Sequence, residues 1–362
     1  MEKYSTNNIT DLKKILQEYG VGILTNYFDD FYADSMFMTT KQWLIDLDIG
    51  LTNDTSTWIY QNMPHGTRFG MYQSIISHAP SFWNLREAMY PIFQDLLNEE
   101  NLLTSIDGAS LYPSINAPKN KKKWAHIDQV DSSDFVSYQS QFVASDTSAA
   151  FLCTPKSHIM HEEIIKNFSI TSRQNTNWHK FSKEQVNTLK EIFGNDYQIP
   201  IYVKKGSIIF WDSRTIHSAK YPNRKEDSWR AVFYISMRPY NTYDDASKKI
   251  IKHAAINGKT TNHLGSLIFN SEDRYKIKNN KVTELDNCTE RVSYFKNFNV
   301  IQQKMTGFNE STNSLSQNHN SLLKEPTDFL WKSGLGVYPV ELDISQPLQE
   351  LNAPSKSEPA NN

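Results

Sequence analysis

The sequence predicts a mainly β fold, an antiparallel barrel or jelly roll, with helices before and among its strands. Two observations lead to this prediction. Between about residues 105 and 240, short apolar or alternating segments are separated by polar turns, a pattern typical of antiparallel barrels and jelly rolls. Before and among these segments, apolar residues recur at the three- and four-residue spacing of amphipathic helices.

Length and composition indicate a globular chain. It has 362 residues, of which 38% are hydrophobic and 12% aromatic, enough for a sizeable core. The 38 basic and 40 acidic residues leave a formal net charge of -2. No overall field therefore favours nucleic acid or an anionic membrane as a partner.

Cysteine usage and the start of the chain bear on its location. Only Cys153 and Cys288 are present, and Met1 is followed by polar and charged residues. These features indicate neither a disulfide framework nor a secretory signal, and no window approaches the roughly 20 apolar residues of a membrane-spanning helix. We expect an intracellular, cytoplasmic protein with no membrane partner.

Three helices and one strand are predicted before the β core. Residues 9–19 place their apolar side chains on one helical face, and Gly20 ends this helix before the apolar strand 21–24. Residues 29–47 and 81–98 also have helical spacing. Five side chains are expected to pack the helix 29–47 against the core: Phe31, Met36, Phe37, Trp43 and Leu47.

The β core is predicted to include strands at residues 106–112 and 135–143, and an amphipathic helix at residues 183–193. The strand 135–143 alternates, so that Tyr138 lies on one face and Gln139 lies with Gln141 on the other. Periodicity alone does not decide which of these two faces points into the barrel.

A His-x-Asp motif lies within residues 123–129. Alternate side chains of a strand share one face, so His126 and Asp128 point the same way and can hold one ion. A polar pair on an exposed strand is the simpler alternative. The run Lys119-Asn120-Lys121-Lys122-Lys123 leads into the motif and is either solvated or captures an anionic group of a substrate.

A second histidine follows another predicted strand. Residues 206–217 read as an apolar strand, a polar turn and His217 at the start of a new strand. The alternating strand 228–236 comes shortly afterwards and places Arg230 on the same face as Tyr234 and Ser236. Two histidines, one carboxylate and an arginine flanked by apolar residues form a specific set.

The order and spacing of this set resemble those of the iron(II)- and 2-oxoglutarate-dependent dioxygenases, and among them the phytanoyl-CoA dioxygenase-like branch. The resemblance covers roughly residues 10 to 270. It includes the turn Pro155-Lys156-Ser157-His158, where many members have Pro-Gly-Ser-His. The chain differs at Val232, where many relatives have a hydroxyl, and at Ala149-Ala150, which replaces a glycine pair.

The resemblance implies a double-stranded β-helix core, similar to a jelly roll or cupin, with a metal centre at its mouth. His126, Asp128 and His217 would cover one side of an octahedral iron(II) ion. Three positions would stay open for the bidentate co-substrate 2-oxoglutarate and for O2. The implied reaction hydroxylates an unidentified small molecule while 2-oxoglutarate is decarboxylated to succinate.

Further site residues are implied by the same resemblance. Arg230 would hold the distal carboxylate of 2-oxoglutarate through two parallel hydrogen bonds. Tyr234 or Ser236 would supply a second contact to the co-substrate. The strand 135–143 would line the pocket, which makes Tyr138, Gln139 and Gln141 candidate contacts. No catalytic residue is expected beyond the metal centre.

Three alternatives stay open at this stage. His158, His161 and Glu162 share a helical face and offer a rival metal site, although residue 165 is Ile and the His-Glu-x-x-His pattern of zinc proteases is absent. The chain could also be a metal-dependent cupin-type hydrolase or isomerase, or a noncatalytic jelly-roll binding module. Neither of these functions requires an inward Arg230.

Domain organisation follows from composition. Residues 1–308 are predicted to form one domain, with a helical N-terminal part, the β core at about 105–240 and a helical extension at about 241–308. Residues 309–362 are rich in Asn, Ser, Gln and Pro, as expected of a polar linker and tail. Within them, the segment 326–343 is predicted to dock on the main domain.

Overall fold

Two large β-sheets and the helices packed on them make up most of the part of the chain that the structure describes. A computed structural model describes residues 1–59, 62, 70–73, 75–118, 124–171, 177–268, 274–278, 281–285 and 293–308. The strands are β1 Ser5–Thr6, β2 Val21–Leu24, β3 Leu102–Thr104, β4 Ala109–Pro113, β5 His126–Ile127, β6 Tyr138–Val143, β7 Ala150–Cys153, β8 His179–Lys180, β9 Ile199–Ile201, β10 Ile208–Asp212, β11 His217–Lys220, β12 Trp229–Pro239, β13 Arg274–Lys278 and β14 Lys281–Leu285. The α-helices are α1 Ile9–Tyr19, α2 Asp30–Asp46, α3 Pro80–Leu97, α4 His161–Asn167, α5 Lys183–Phe193, α6 Asp245–Asn257 and α7 Val300–Lys304.

The strands pair into a larger and a smaller sheet. The larger sheet has the order β1-β2-β10-β6-β12-β3, with β4 also paired to β12. The smaller sheet has the order β8-β5-β11-β7-β9. All of these pairs are antiparallel except β1 with β2. The chain passes between the sheets repeatedly, as at the turn from β10 to β11, and β13 and β14 form a separate hairpin.

The two sheets pack face to face through an apolar layer. Ile23, Ile209 and Trp211 of the larger sheet share a buried cluster with Phe151 and Cys153 of the smaller sheet. We call this side of each sheet its inner face. Because side chains alternate along a strand, the register of the larger sheet assigns every other residue of β6, β10 and β12 to this face.

The outer face of the larger sheet is covered by helices. Phe233 of β12 contacts Phe82 of α3 with ring centroids 5.1 Å apart, and Phe210 of β10 contacts Phe93 of the same helix at 5.5 Å. Leu16 of α1 belongs to the same buried cluster. The prediction of a mainly β fold flanked by helices is confirmed. No described helix is both long and apolar enough to cross a membrane.

The first helix shows how local sequence sets an element. The side chain of Asn8 accepts the N–H groups of Thr10 and Asp11 and caps the start of α1. Gly20 follows its end with a left-handed φ of 73°. A Cβ atom at this position would lie 2.4 Å from Nδ1 of His158, so only glycine fits both the turn and its neighbour.

Lys156 adopts a φ of 68° in the Pro155–His158 turn. This is the position where many members of the resembled family have glycine, and the left-handed region costs a non-glycine residue on the order of 1 kcal/mol. The turn is held nonetheless, because the Lys156 N–H donates to the carbonyl of Tyr19 at 2.8 Å.

Two sequence predictions need correction. Phe31 was expected to pack α2 against the core but is 82% exposed, because it lies on the solvent side of the helix while Met36 and Leu44 face inward. The strand predicted at 135–143 begins only at Tyr138. The lysine run 119–123, Cys288 and the segment 309–362 lie outside the described residues, and the domain division at residue 308 stays a prediction.

We predict that Phe142→Ala lowers the free energy of unfolding by about 3–5 kcal/mol, the usual cost of truncating a buried phenylalanine. The Phe142 ring is fully buried and contacts Phe28, Tyr32 and Phe233. Phe31→Ala is the matched control and should change stability by less than about 0.5 kcal/mol. Urea unfolding followed by circular dichroism measures the free energy of unfolding of both variants. Equal losses of stability would contradict the assignment of Phe142 to the core and of Phe31 to the solvent side of α2.

Candidate metal centre

Two strands of the smaller sheet place the histidines side by side. His126 of β5 and His217 of β11 are direct partners in the antiparallel register. Their side chains therefore leave the sheet on the same face, with ring centroids 4.1 Å apart. Asp128 lies two residues beyond His126, just after the end of β5, and its carboxylate lies beside both imidazoles.

The three side chains converge on one point. Nε2 of His126 lies 3.7 Å from Oδ1 of Asp128, and Nε2 of His217 lies 3.3 Å from Oδ2. One ligand atom from each residue lies within 4.8 Å of the others, and all three residues are buried. Bonds of about 2.0–2.2 Å to one ion bring neighbouring ligand atoms to about 3 Å from each other. The site is thus close to the geometry that a single divalent ion requires.

Backbone hydrogen bonds orient both imidazoles for binding. Nδ1 of His126 lies 3.1 Å from the carbonyl of Trp124, and Nδ1 of His217 lies 2.9 Å from the carbonyl of Thr215. A carbonyl can only accept, so each Nδ1 carries the proton. Each Nε2 is left directed toward Asp128, the orientation that outer hydrogen bonds impose on metal-binding histidines.

Burial and charge set the protonation states. Burial and the neighbouring His217 lower the pKa of His126 to about 3, so its imidazole is neutral at pH 7. Burial acts to raise the pKa of Asp128, but the nearby imidazoles, chiefly that of His263, outweigh burial and hold that pKa well below its usual range. A neutral imidazole beside an ionised carboxylate is the state that binds a metal ion.

Aromatic rings pack around the imidazoles. Trp124 stacks on His126 with centroids 4.4 Å apart and planes 7° apart. Phe151 and Trp211 lie 5.5 Å and 5.3 Å from the ring of His217. These contacts restrict rotation of the ligand side chains and surround them with apolar surface.

The loop after β5 is held by neighbouring elements. The Asp128 N–H donates to the carbonyl of Ser213, in the turn before β11, at 3.2 Å. The side chain of Asn177 accepts the N–H groups of Val130 and Asp131. The loop that carries Asp128 is therefore tied to the turn that precedes His217.

The rival metal site is not formed among the described residues. His158 and His161 each direct Nε2 to a backbone carbonyl, that of Gln17 at 3.1 Å and that of Gln129 at 2.7 Å. In the described part of the chain, the only group of three or more potential ligands that converges is His126, Asp128 and His217. His158 and His161 instead tie their turn to α1 and to the loop after Asp128.

Arg230 is buried in the inner face of β12, where it is only 4% exposed. None of the ion pairs found among the described residues involves it. Its neighbours are phenols: burial alone would lower its pKa, but Tyr234, Tyr112 and Tyr221 raise that pKa above its usual value. A charged guanidinium buried with no carboxylate partner among the described residues is unusual, and it favours an anion at this part of the inner face.

The three candidate pocket contacts on β6 lie on two different faces of the strand. Gln139 and Gln141 are register partners of Trp211 and Ile209 and so lie on the inner face. Nε2 of Gln139 is buried without a hydrogen-bond partner among the described residues. Tyr138 lies on the outer face, as part of the cluster covered by helices.

Tyr138 lines a different cavity of about 390 Å³, together with Phe135, His158 and Arg214. Tyr138 is therefore separated from Arg230 by the sheet, whereas Gln139 and Gln141 occupy the face toward the smaller sheet. The resemblance implies only that the strand 135–143 lines the pocket. Periodicity does not show which face of that strand points inward, so Tyr138 is a candidate at the sequence level together with Gln139 and Gln141.

Tyr234 and Ser236 of β12, the candidates for a second contact to the co-substrate, differ in their surroundings. The Tyr234 hydroxyl is 3.1 Å from Oγ of Ser110 and lies near Arg230. The Ser236 hydroxyl donates to the carbonyl of Tyr138 at 3.2 Å, so its proton is used within the sheet. Of the two, Tyr234 is better placed to act together with Arg230.

Sequence reasoning missed His263 and Asp107. Nε2 of His263 lies 3.0 Å from the carbonyl oxygen of Asp128. The buried Asp107 interacts electrostatically with His263 and with Asp128. Neither residue belongs to a motif, because each approaches the site only through the folding of distant segments.

Comparison with known proteins supports the fold. No protein-family model matches the chain, and no curated protein matches its sequence. A candidate oxidoreductase from Salmonella typhimurium LT2 superposes with a TM-score of 0.51 at 10% identity, covering 82% of each chain. The two proteins share a fold.

Two enzymes of nogalamycin biosynthesis align over less of the chain. The epimerase SnoN, crystallised with Fe3+, alpha ketoglutarate and nogalamycin RO, gives a TM-score of 0.43 at 12% identity, over 64% of this chain and 83% of SnoN. The non-heme alpha ketoglutarate dependent carbocyclase SnoK gives 0.42 at 11% identity, over 63% of this chain and 83% of SnoK.

We predict that Asp128→Ala abolishes binding of a divalent metal while the fold is retained, because the change removes the only carboxylate between the two imidazoles. Glu162→Ala is the control and should bind metal as the wild type does, since Glu162 belongs to the rival set. Metal analysis after reconstitution with iron(II) measures both variants. Near-stoichiometric iron in Asp128→Ala would disprove the assignment.

Proposed function

We propose that this chain is an iron(II)- and 2-oxoglutarate-dependent dioxygenase of the phytanoyl-CoA dioxygenase-like branch, with a double-stranded β-helix core. It would hydroxylate a small molecule while 2-oxoglutarate and O2 are converted to succinate and carbon dioxide. The observation that carries the proposal is Arg230, a buried cation with no carboxylate partner among the described residues, on the inner face of a sheet that packs against the sheet of His126 and His217.

The donor set fits iron(II). Two imidazoles and one carboxylate on one side of an ion leave three positions of an octahedron open, which is the arrangement of non-heme iron oxygenases. Structural zinc sites are closed by four ligands and often contain cysteine. Cys153 lies opposite His217 in the sheet register, but it does not belong to the converging group of His126, Asp128 and His217.

The inner face also fits a dicarboxylate. One carboxylate of 2-oxoglutarate, with its adjacent keto group, would occupy two of the open positions on the metal, and the other carboxylate would pair with Arg230. A guanidinium can donate two parallel hydrogen bonds to a carboxylate. Gln139 offers a further buried donor without a partner among the described residues.

The bound iron and 2-oxoglutarate would supply the oxidising power, and the chain's own residues would supply orientation. His126, Asp128 and His217 hold the ion. Arg230, with the Tyr234 hydroxyl beside it, sets the direction of the co-substrate. The aromatic rings that pack directly against the imidazoles would help to exclude water from the ligand side chains.

Other functions remain as outcomes of the test. A cupin-type hydrolase or isomerase would use the open positions for water and a substrate oxygen, and a noncatalytic module would need no metal chemistry. Neither requires a buried Arg230 on the inner face. Fold alone does not choose among them, because one fold supports many functions.

The deciding experiment is anaerobic addition of iron(II) and then 2-oxoglutarate to the purified protein. Chelation of iron by the keto acid produces a weak visible charge-transfer band, which we expect for the wild type. The band should be absent in Asp128→Ala, which lacks the ion. If the folded, iron-loaded wild type gives no band, the hydrolase, isomerase or binding-module alternatives are favoured.

We predict that Arg230→Lys raises the 2-oxoglutarate concentration required for turnover while iron content stays normal. A lysine cannot reproduce the two parallel hydrogen bonds. Loss of a buried charge-assisted pair costs about 2–5 kcal/mol, or roughly thirtyfold to several thousandfold in affinity. The exposed Arg224, whose side chain donates to the carbonyl of Ala117, provides the control Arg224→Lys. An unchanged requirement in decarboxylation assays of Arg230→Lys would remove Arg230 from the site.

A further inference from the structure

A loop from the C-terminal extension reaches the candidate metal centre. Residues 259–268, here called the His263 loop, follow α6. The loop is tied to the segment before β4, because the Thr261 N–H donates to the carbonyl of Ile106 and the Ile106 N–H donates to Oγ1 of Thr261, both at 2.9 Å. The Thr260 hydroxyl donates to the carbonyl of Gln73, also at 2.9 Å.

The His263 loop is also held from within. The side chain of Asn262 accepts the N–H groups of Ser266 and Leu267. Gly265 has a left-handed φ of 68°, and a Cβ atom there would lie 2.8 Å from Cδ1 of Ile251 in α6. These contacts define the conformation of the loop before any contact with the metal centre is counted.

The imidazole of His263 contacts the residue that supplies the carboxylate. Its Nε2 lies 3.0 Å from the carbonyl oxygen of Asp128. A carbonyl accepts only, so Nε2 is the donor. The N–H of Asp128 donates to the carbonyl of Ser213. Both backbone polar groups of Asp128 are therefore fixed, one by the turn that leads to His217 and the other by the His263 loop.

Asp107 lies close enough to His263 to interact with it. Its carboxyl group is buried and accepts the N–H of Gly108 at 2.7 Å. Asp107 also interacts electrostatically with His263. Gly108 is required beside it, because a Cβ atom at that position would lie 1.8 Å from the carbonyl oxygen of Tyr72. A rigid buried segment thus stands near the imidazole that contacts Asp128.

We infer that His263 is a positioning residue of the metal centre and that the C-terminal extension completes the site by holding the Asp128 backbone. This inference rests on the proposed function. His263 would not itself bind the ion, because it does not belong to the converging group of His126, Asp128 and His217 and its Nε2 is engaged with the Asp128 carbonyl. Its role is to keep the carboxylate aimed at His126 and His217, as outer hydrogen bonds commonly do for metal ligands.

Three substitutions separate the hydrogen bond from the bulk of the ring. His263→Ala removes both. His263→Gln keeps an N–H donor the same number of bonds from the backbone as Nε2, whereas the amide of His263→Asn ends one bond shorter. His253→Ala, which removes a half-buried imidazole from α6 of the same extension, is the control.

The first measurement needs no metal. Hydrogen–deuterium exchange of the metal-free protein reports on residues 124–134. We expect faster exchange in His263→Ala and His263→Asn, and near-wild-type exchange in His263→Gln and His253→Ala. Unchanged exchange in a folded His263→Ala would overturn the inference. If His263→Ala fails to fold, the inference is decided by the difference in exchange between His263→Gln and His263→Asn, and equal exchange in these two variants would overturn it.

The second measurement is titration with cobalt(II), followed by its visible absorption. Loss of an outer hydrogen bond to a ligand usually weakens metal binding about 10- to 100-fold. We expect this weakening, with an altered cobalt spectrum, in His263→Ala and His263→Asn, and recovery in His263→Gln. Wild-type affinity in all variants would overturn the inference. If the wild type itself binds no cobalt, the proposed metal centre fails, and the exchange result still decides whether His263 holds Asp128.

Discussion

The pairing of His126 with His217 across two antiparallel strands is the interaction on which the candidate site depends. The two residues are far apart in sequence, yet they are direct register partners in the smaller sheet. A shift of one residue in either strand would turn one imidazole to the opposite face. The register is held from both sides, since β11 pairs with β7 as well as with β5.

Buried charge is the second constraint. An isolated ionised group inside a protein is costly unless other groups compensate it. Asp128 lies among three imidazoles, of which His263 most favours its ionised form, and Arg230 lies among three phenols, with no carboxylate partner in the described part of the chain. The sheets thus keep a negative group and a positive group on inner faces, each prepared for a ligand of the opposite charge. This arrangement fits a bound cation and a bound anion better than it fits a purely structural core.

The elements outside the two sheets contribute directly to the site. The turn at residues 155–158 supports the strand of His217, because Oγ of Ser157 accepts the N–H of Ile216. His161, at the start of α4, donates to the carbonyl of Gln129. The extension after β12 supplies His263. The candidate centre therefore depends on helices and loops as much as on the sheets, and a minimal β core would lack these supports.

The sequence by itself determined the local features of this protein. Helical spacing and a terminal glycine located α1, and strand alternation placed His126 with Asp128 and Arg230 with Tyr234, because these relations depend only on neighbouring residues. Only the tertiary structure decided which face is buried. The helices cover the side of β6 that carries Tyr138, so Gln139 faces the other sheet, and Phe31 points to solvent. His263 could not be found from the sequence either, because its contact with Asp128 arises only when the C-terminal extension folds back across the β core.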